Sequence, residues 1–228
     1  MKKLLLILLC LPFIGFGQNW NQIGQDIDGN STANEEYFGA SVSSSNDGSI
    51  IAIGAPNENG VTGGQNSGVT RVYENVNGNW NQIGQDISGQ GAFDQSGNSV
   101  SLSDDGMFIA IGSPEATTST GITGQVRIYN YNGSSWVQLG QDIEGDQLNE
   151  DFGYSVSLNG NGNTVVIGVP NFDDNNQGGT NMGMARIYNW DGISWHQIGN
   201  DTICTTQNSE LGWSVSMSDD GTTVALGI

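Results

Sequence analysis

Trp80-Asn81-Gln82-Ile83-Gly84-Gln85-Asp86-Ile87 is followed by a near copy, Trp136-Val137-Gln138-Leu139-Gly140-Gln141-Asp142-Ile143. The core of that octet, Trp-x-Gln-(Ile/Leu)-Gly, also opens at Trp20 and Trp195, so it recurs at intervals of 60, 56 and 59 residues. A second motif keeps step: Ile53-Gly54-Ala55-Pro56, Ile111-Gly112-Ser113-Pro114, Ile167-Gly168-Val169-Pro170 and a shortened Leu226-Gly227-Ile228. A period in this range marks a repeat array or propeller, in which no single unit buries its own apolar face.

Aligning the units gives four short apolar segments in each. The first reads Ser-Val-Ser (Ser41, Ser99, Ser155 and Ser214 open it), and the second is the apolar run before the Gly-x-Pro motif. The third carries Arg71-Val72-Tyr73, Arg127-Ile128-Tyr129 or Arg186-Ile187-Tyr188, and the fourth is the Trp segment. These segments are rich in β-branched and aromatic residues and bounded by turn chemistry. Asp47-Gly48, Asp105-Gly106, Asn161-Gly162 and Asp220-Gly221 separate first from second; Asn77-Gly78, Asn132-Gly133 and Asp191-Gly192 separate third from fourth. Asx-Gly supplies the positive φ that tight hairpins need. The reading is an all-β chain, a β-propeller of four-stranded antiparallel blades with about three and a half blades present. The sequence stops inside a strand pattern, which reads as a fragment of a larger ring, since an open edge invites aggregation; the alternative is a four-bladed ring, one strand short, closed by the segment from Trp20 to Ile27.

Residues 1–17 read as a secretory signal peptide cleaved after Gly17. Lys2 and Lys3 precede an apolar run that is too short to span a bilayer, and Gly15-Phe16-Gly17 is a small-x-small cleavage site. Cys10 follows leucines rather than the small residues a lipidation site needs. The repeats then fill 18–228, and the chain is expected to be secreted or held at the cell surface. Past the leader only Arg71, Arg127 and Arg186 oppose 24 acidic residues. That balance excludes nucleic acid and anionic membranes as natural partners. Cys204 is then unpaired in sequence and reads as a small packed residue.

These motifs resemble the FG-GAP repeat of integrin-α-like propellers. Phe38-Gly39 with Gly54-Ala55-Pro56 matches the repeat's name; Phe152-Gly153 with Gly168-Val169-Pro170 is close, and Ser96-Gly97 and Leu211-Gly212 are degenerate. The resemblance spans nearly all of 18–228 and implies surface adhesion or ligand binding without naming a ligand. Integrin-type repeats often carry a calcium loop between these two motifs. Here that hairpin is as short as Ser45-Asn46-Asp47-Gly48, and calcium wants six to eight oxygens. No cofactor is therefore expected, with calcium possible only elsewhere; the acidic loop at 171–176 is the better cation candidate, and the metal content stays unknown.

Chemistry of the catalytic kind is thinly represented. His196 stands alone, no nucleophile, zinc or phosphate motif appears, and neighbouring carboxylates such as Glu35-Glu36 read as solvated loop charge. The chain reads as non-catalytic. Antiparallel pairing sends both tight hairpins to one end of each unit and the long, unit-specific connections to the other. Such insertions gather on the binding face of repeat proteins. Candidate ligand-binding residues are therefore Glu35, Glu36, Asn57, Glu58, Asp94, Glu150, Asp151, Asp173, Asp174 and Asn175. The structural set is Trp20, Trp80, Trp136 and Trp195, read as inter-blade packing, plus the three arginines. Each arginine is expected to pair with an aspartate of the Trp strand, the position occupied by Asp26, Asp86, Asp142 and Asp201. The expected partner is an extracellular protein or glycan. A carbohydrate-binding propeller attached to a secreted hydrolase, or a spacer without ligand, are the alternatives. An aromatic-lined pocket would favour a glycan, and a flat polar face protein adhesion or a spacer.

Overall fold

The computed structural model describes residues 21–29, 36–174 and 180–228; the leader, Trp20, Glu35 and Asn175 lie outside them. The described chain is all-β, with 46% strand and no helix. Its first sheet holds β1 (Ser41–Ser44), β2 (Ile50–Ala55), β3 (Val69–Val76), β4 (Asn79–Gln82) and β5 (Ile87–Ser88). The second holds β6 (Ser99–Leu102), β7 (Phe108–Ser113), β10 (Gln125–Tyr131), β11 (Trp136–Gln138) and β12 (Ile143–Glu144), with a small hairpin of β8 (Thr117–Thr118) and β9 (Gly121–Ile122) inserted between β7 and β10. The third is β13 (Ser155–Leu158), β14 (Thr164–Val169), β15 (Met184–Trp190) and β16 (Trp195–Ile203); a fourth begins with β17 (Ser214–Met217) and β18 (Val224–Gly227). All strand pairings within these sheets are antiparallel, and tight turns join the first strand to the second and the third to the fourth.

Register repeats as faithfully as sequence. Ser41 pairs with Gly54, Ser99 with Gly112, Ser155 with Gly168 and Ser214 with Gly227. The fourth segment is split into β4 and β5 or β11 and β12 in two sheets. In the third it stays one strand, with a register irregularity opposite Ala185 and Ile187. Gly84, Gly140 and Gly199, at φ 70°, 78° and 73°, sit at this break, as expected of a bulge that re-aims the chain.

The core lies between sheets, not within one. Ile50, Ala52 and Val72 of the first sheet meet Val100, Leu102 and Ile109 of the second. Val126 and Ile128 of the second meet Val156, Leu158 and Val165 of the third. The second sheet thus supplies one apolar face to its predecessor and another to its successor.

Polar contacts fix the same stacking. Ser41, Ser99 and Ser155 donate Oγ to the carbonyls of Gly97, Gly153 and Gly212 in the next sheet, at 2.7, 2.8 and 2.7 Å. Ser43, Ser101 and Ser157 accept from Leu102, Leu158 and Met217 N–H at 3.0, 2.9 and 3.0 Å. A β-carbon on Gly54 would run into the Gly97 carbonyl, and one on Gly112 into that of Gly153. The glycine is there because the next unit's backbone is.

The Trp motif is a second inter-sheet clamp. Trp136 Nε1 donates to Ile83 O (3.1 Å) and Trp195 Nε1 to Leu139 O (2.9 Å), in each case a residue of the preceding unit. Gln85 grips the Trp136 backbone at both N–H (3.0 Å) and C=O (2.8 Å), and Gln141 grips Trp195 in the same way (3.1 and 2.7 Å). Trp80 repeats the pattern against Ile23 and Gln25.

Candidate functional site

The hairpin end is given over to its own turns. Asp47 Oδ1 accepts from Ser45 Oγ (2.8 Å) and Ser49 N (2.9 Å), and Asp105 does the same with Ser103 and Met107. Asp220 accepts from Ser218 Oγ (2.6 Å) and Thr222 N (3.0 Å), which holds its pKa down at about 2. His196 Nε2 meets both Ser194 Oγ (2.8 Å) and Asp191 Oδ2 (2.9 Å). Both contacts fall on one nitrogen, so the trio is no serine–histidine–aspartate relay, which needs a different ring nitrogen for each partner. Cys204, expected to be a small packed residue, is partly buried, with a free thiol. Hydrogen bonds from Ser209 and Thr206 lower its thiol pKa.

At the opposite end the long connections of each sheet fold against those leading into it. Asn57 N donates to Glu36 O (3.4 Å), Asn171 N to Glu150 O (3.3 Å) and Phe93 N to Gln65 O (2.8 Å). The candidate carboxylates sit here, but several point inward. Asp94 is 3% exposed and accepts from Gln90 N (3.1 Å) and Gly91 N (2.7 Å). Glu150 is 1% exposed and accepts from Asp146 N (2.6 Å); burial raises its pKa. Glu58 is taken up by Arg71, Asp173 accepts from Asn181 N (2.7 Å), and Asp174 is buried. Glu58, Asp94 and Glu150 thus lie at the long-loop end but are buried there. Irregular loops cannot satisfy their own N–H groups through a ladder, so these carboxylates do it. Asp151 is partly buried, accepts from Asn171 Nδ2 (2.6 Å), and its pKa rises to about 6 through burial and the charge of Glu115. Among the described residues no group of three or more His, Cys, Asp or Glu side chains is arranged to hold a metal.

The arginines stand under this face, each 9% or less exposed at the side chain. Arg71 makes a bidentate pair with Asp86 (Nε 3.0 Å, Nη2 2.9 Å) and Arg186 with Asp201 (2.9 and 3.1 Å). Gln82 and Gln197 donate to those aspartates at 2.7 Å, which explains the spacing of Gln and Asp in the repeat. Asp26 has the matching donor, Gln22 (2.7 Å). Arg127 is the exception. Its Nε lies 3.3 Å from Asp142 Oδ1 yet has no aligned hydrogen-bond acceptor.

Arg127 also lines a cavity of about 420 Å³ between the second sheet's long connection and the linker that leads into that sheet. Gln90, Asp94, Thr117, Thr118 and Glu144 share the lining, and no aromatic ring does among the described residues. The concavity is polar, neither an aromatic pocket nor a flat face. The sequence signal that could have located it is the β8–β9 insertion, whose threonines form one wall.

No family model matches the chain, and no curated protein sequence matches it. Among solved structures it is similar to Kuenenia stuttgartiensis hydrazine synthase, with a TM-score of 0.52 and 9% identity over 88% of this chain and 44% of that one. This chain therefore spans less than half the length of that one, and at this identity the likeness is of fold alone.

Proposed function

We propose that the sheets are blades of a β-propeller and that the protein is an exported, non-catalytic binding or adhesion module of the FG-GAP type. The observation that carries this reading is the contrast between the two ends. The hairpin end is built from the same self-satisfied turn in unit after unit, whereas the long-loop end differs between units and encloses a polar cavity of about 420 Å³. Sites on rigid scaffolds take this form. The propeller reading draws support from the identical inter-sheet clamps and from the first sheet's outer face. Val42 is 68% exposed there, while its counterparts Val100 and Val156 are covered to 8% by a neighbouring sheet. A closing blade would cover Val42.

The test is a panel of extracellular glycans and matrix proteins presented to the complete secreted protein. The reading requires at least one ligand held by the long-loop face; no binding across the panel would overturn it. A carbohydrate-binding role is favoured over a spacer, because a spacer gives no reason for a polar cavity lined by an arginine whose buried Nε has no acceptor.

A further inference from the structure

We propose that the cavity beside Arg127 binds a carboxylate-bearing saccharide, a uronic acid residue, with the guanidinium taking the carboxylate. This deepens the binding-module reading and rests on it. The argument comes from comparing three equivalent arginines. Arg71 is held by Asp86 and by a second carboxylate, Glu58 (Nη1 to Oε2, 2.8 Å). Arg186 is held by Asp201 and by a second carboxylate, Asp146 (2.7 Å from Nη1). Arg127, with its side chain only 3% exposed, has Asp142 alone among these.

Both positions from which its sisters draw the second carboxylate are neutral in its own unit. Ala116 occupies the place of Glu58: Glu58 N donates to Ala55 O and Ala116 N to Ser113 O, and Gly68 N and Gly124 N close the two loops identically. Gln90 occupies the place of Asp146, one residue after glycines whose N–H groups bond to Gly68 O and Gly124 O. Where the missing carboxylate would stand, the structure has the cavity.

Arg127 is paired in charge with Asp142, but its buried Nε has no aligned acceptor, and a buried donor left unmet is costly. A ligand carboxylate offers the bidentate geometry a guanidinium favours. The other walls select the rest of the molecule. Asp94, Asp142 and Glu144 accept but cannot donate, so they disfavour an anion that brings no O–H groups. The hydroxyls of Thr117 and Thr118 and the amide of Gln125 both donate and accept. One carboxylate ringed by several hydroxyls satisfies all of them, and the volume falls in the range of small-ligand sites, about 300–1,000 Å³.

The experiment titrates the complete protein with glucuronate and galacturonate, free and as the terminal residue of a disaccharide, against glucose and galactose in the same forms. Calorimetry reads affinity, and amide shifts at Thr117, Thr118 and Gln125 read location. Uronates are expected to bind about tenfold or more tightly than the neutral sugars. Binding of free uronate and of the disaccharide identifies a glycan end as the source; binding of free uronate alone identifies the monosaccharide, and either supports the site. Gln90→Asp restores the internal carboxylate at an exposed position. It is expected to cost uronate binding about tenfold or more with a melting temperature no lower than that of the wild type. Equal affinity for uronate and neutral sugar, or undiminished binding by Gln90→Asp, would overturn the proposal. If the glycan and protein panel finds another ligand on this face while uronates do not bind, only this inference falls; if nothing binds that face, the module reading falls with it.

Discussion

Arg71 gathers two carboxylates under the long-loop face, so its loss leaves Glu58 and Asp86 facing each other without a cation. Arg71→Met is expected to destabilise by about 3 kcal/mol, the range for breaking a buried pair from one side. Arg127→Met strands only Asp142 and should cost less, an order that chemical denaturation of the two variants checks; equal costs would contradict the pairing difference. Asp151 gives a prediction of pH dependence. Burial and Glu115 raise its pKa from 3.8 to about 6, against the opposing hydrogen bond from Asn171. The folded protein then holds this proton more tightly than the unfolded chain, so this contribution to stability is full at low pH and is lost as pH rises from about 4 to about 6. Asp151→Asn removes the effect, and its melting temperature relative to wild type should rise between pH 4 and pH 7. A constant difference would contradict this. At this scale the sequence marks Arg71 and Asp86 as partners, because both recur at fixed strand positions. It cannot show that Glu58 completes the pair and Ala116 does not, since that depends on how two irregular loops fold over the arginine.

The repeated Gln-Asp dipeptide joins neighbouring elements through its two halves. Gln85 reaches forward to the Trp136 backbone, while Asp86 reaches back within its own sheet to Arg71. Gln85→Ala removes two inter-sheet hydrogen bonds and should cost about 1–2 kcal/mol, with faster amide exchange at Trp136 as the local signature. Protection unchanged at Trp136 would count against the clamp. Gly84→Ala forces a methyl to 2.7 Å from Trp136 Cδ1 at φ 70°, and should destabilise while altering the indole fluorescence. Strand order and hairpin positions were readable from the Asx-Gly turns and the segment periodicity. Two features were not. The fourth segment breaks into β4 and β5 because Gly84 carries a bulge, and the β8–β9 hairpin forms where sequence shows only a polar loop. Both are set by what packs against the backbone rather than by local propensity.

At the level of the molecule, the sheets stack so that each core belongs to two of them, and the all-β class follows directly from turn chemistry and period. The location of a cavity does not, because it depends on which loop residues are missing a partner. The turn aspartates, already engaged by their own hydroxyls and amides, give no reason for ligand binding to require calcium. Binding to the ligand found by the panel should persist in a chelator, whereas its loss would place a cation in the site. The most direct measurement of the whole account takes that ligand and two chimeras of the complete protein. In one, the three long loops of the first three units are replaced by a single short consensus connection; in the other, the hairpin turns are exchanged among units. The account predicts that the loop chimera, shown folded by its tryptophan fluorescence, loses binding and that the turn chimera keeps it. Binding that survives loop replacement and disappears with the turns would contradict it.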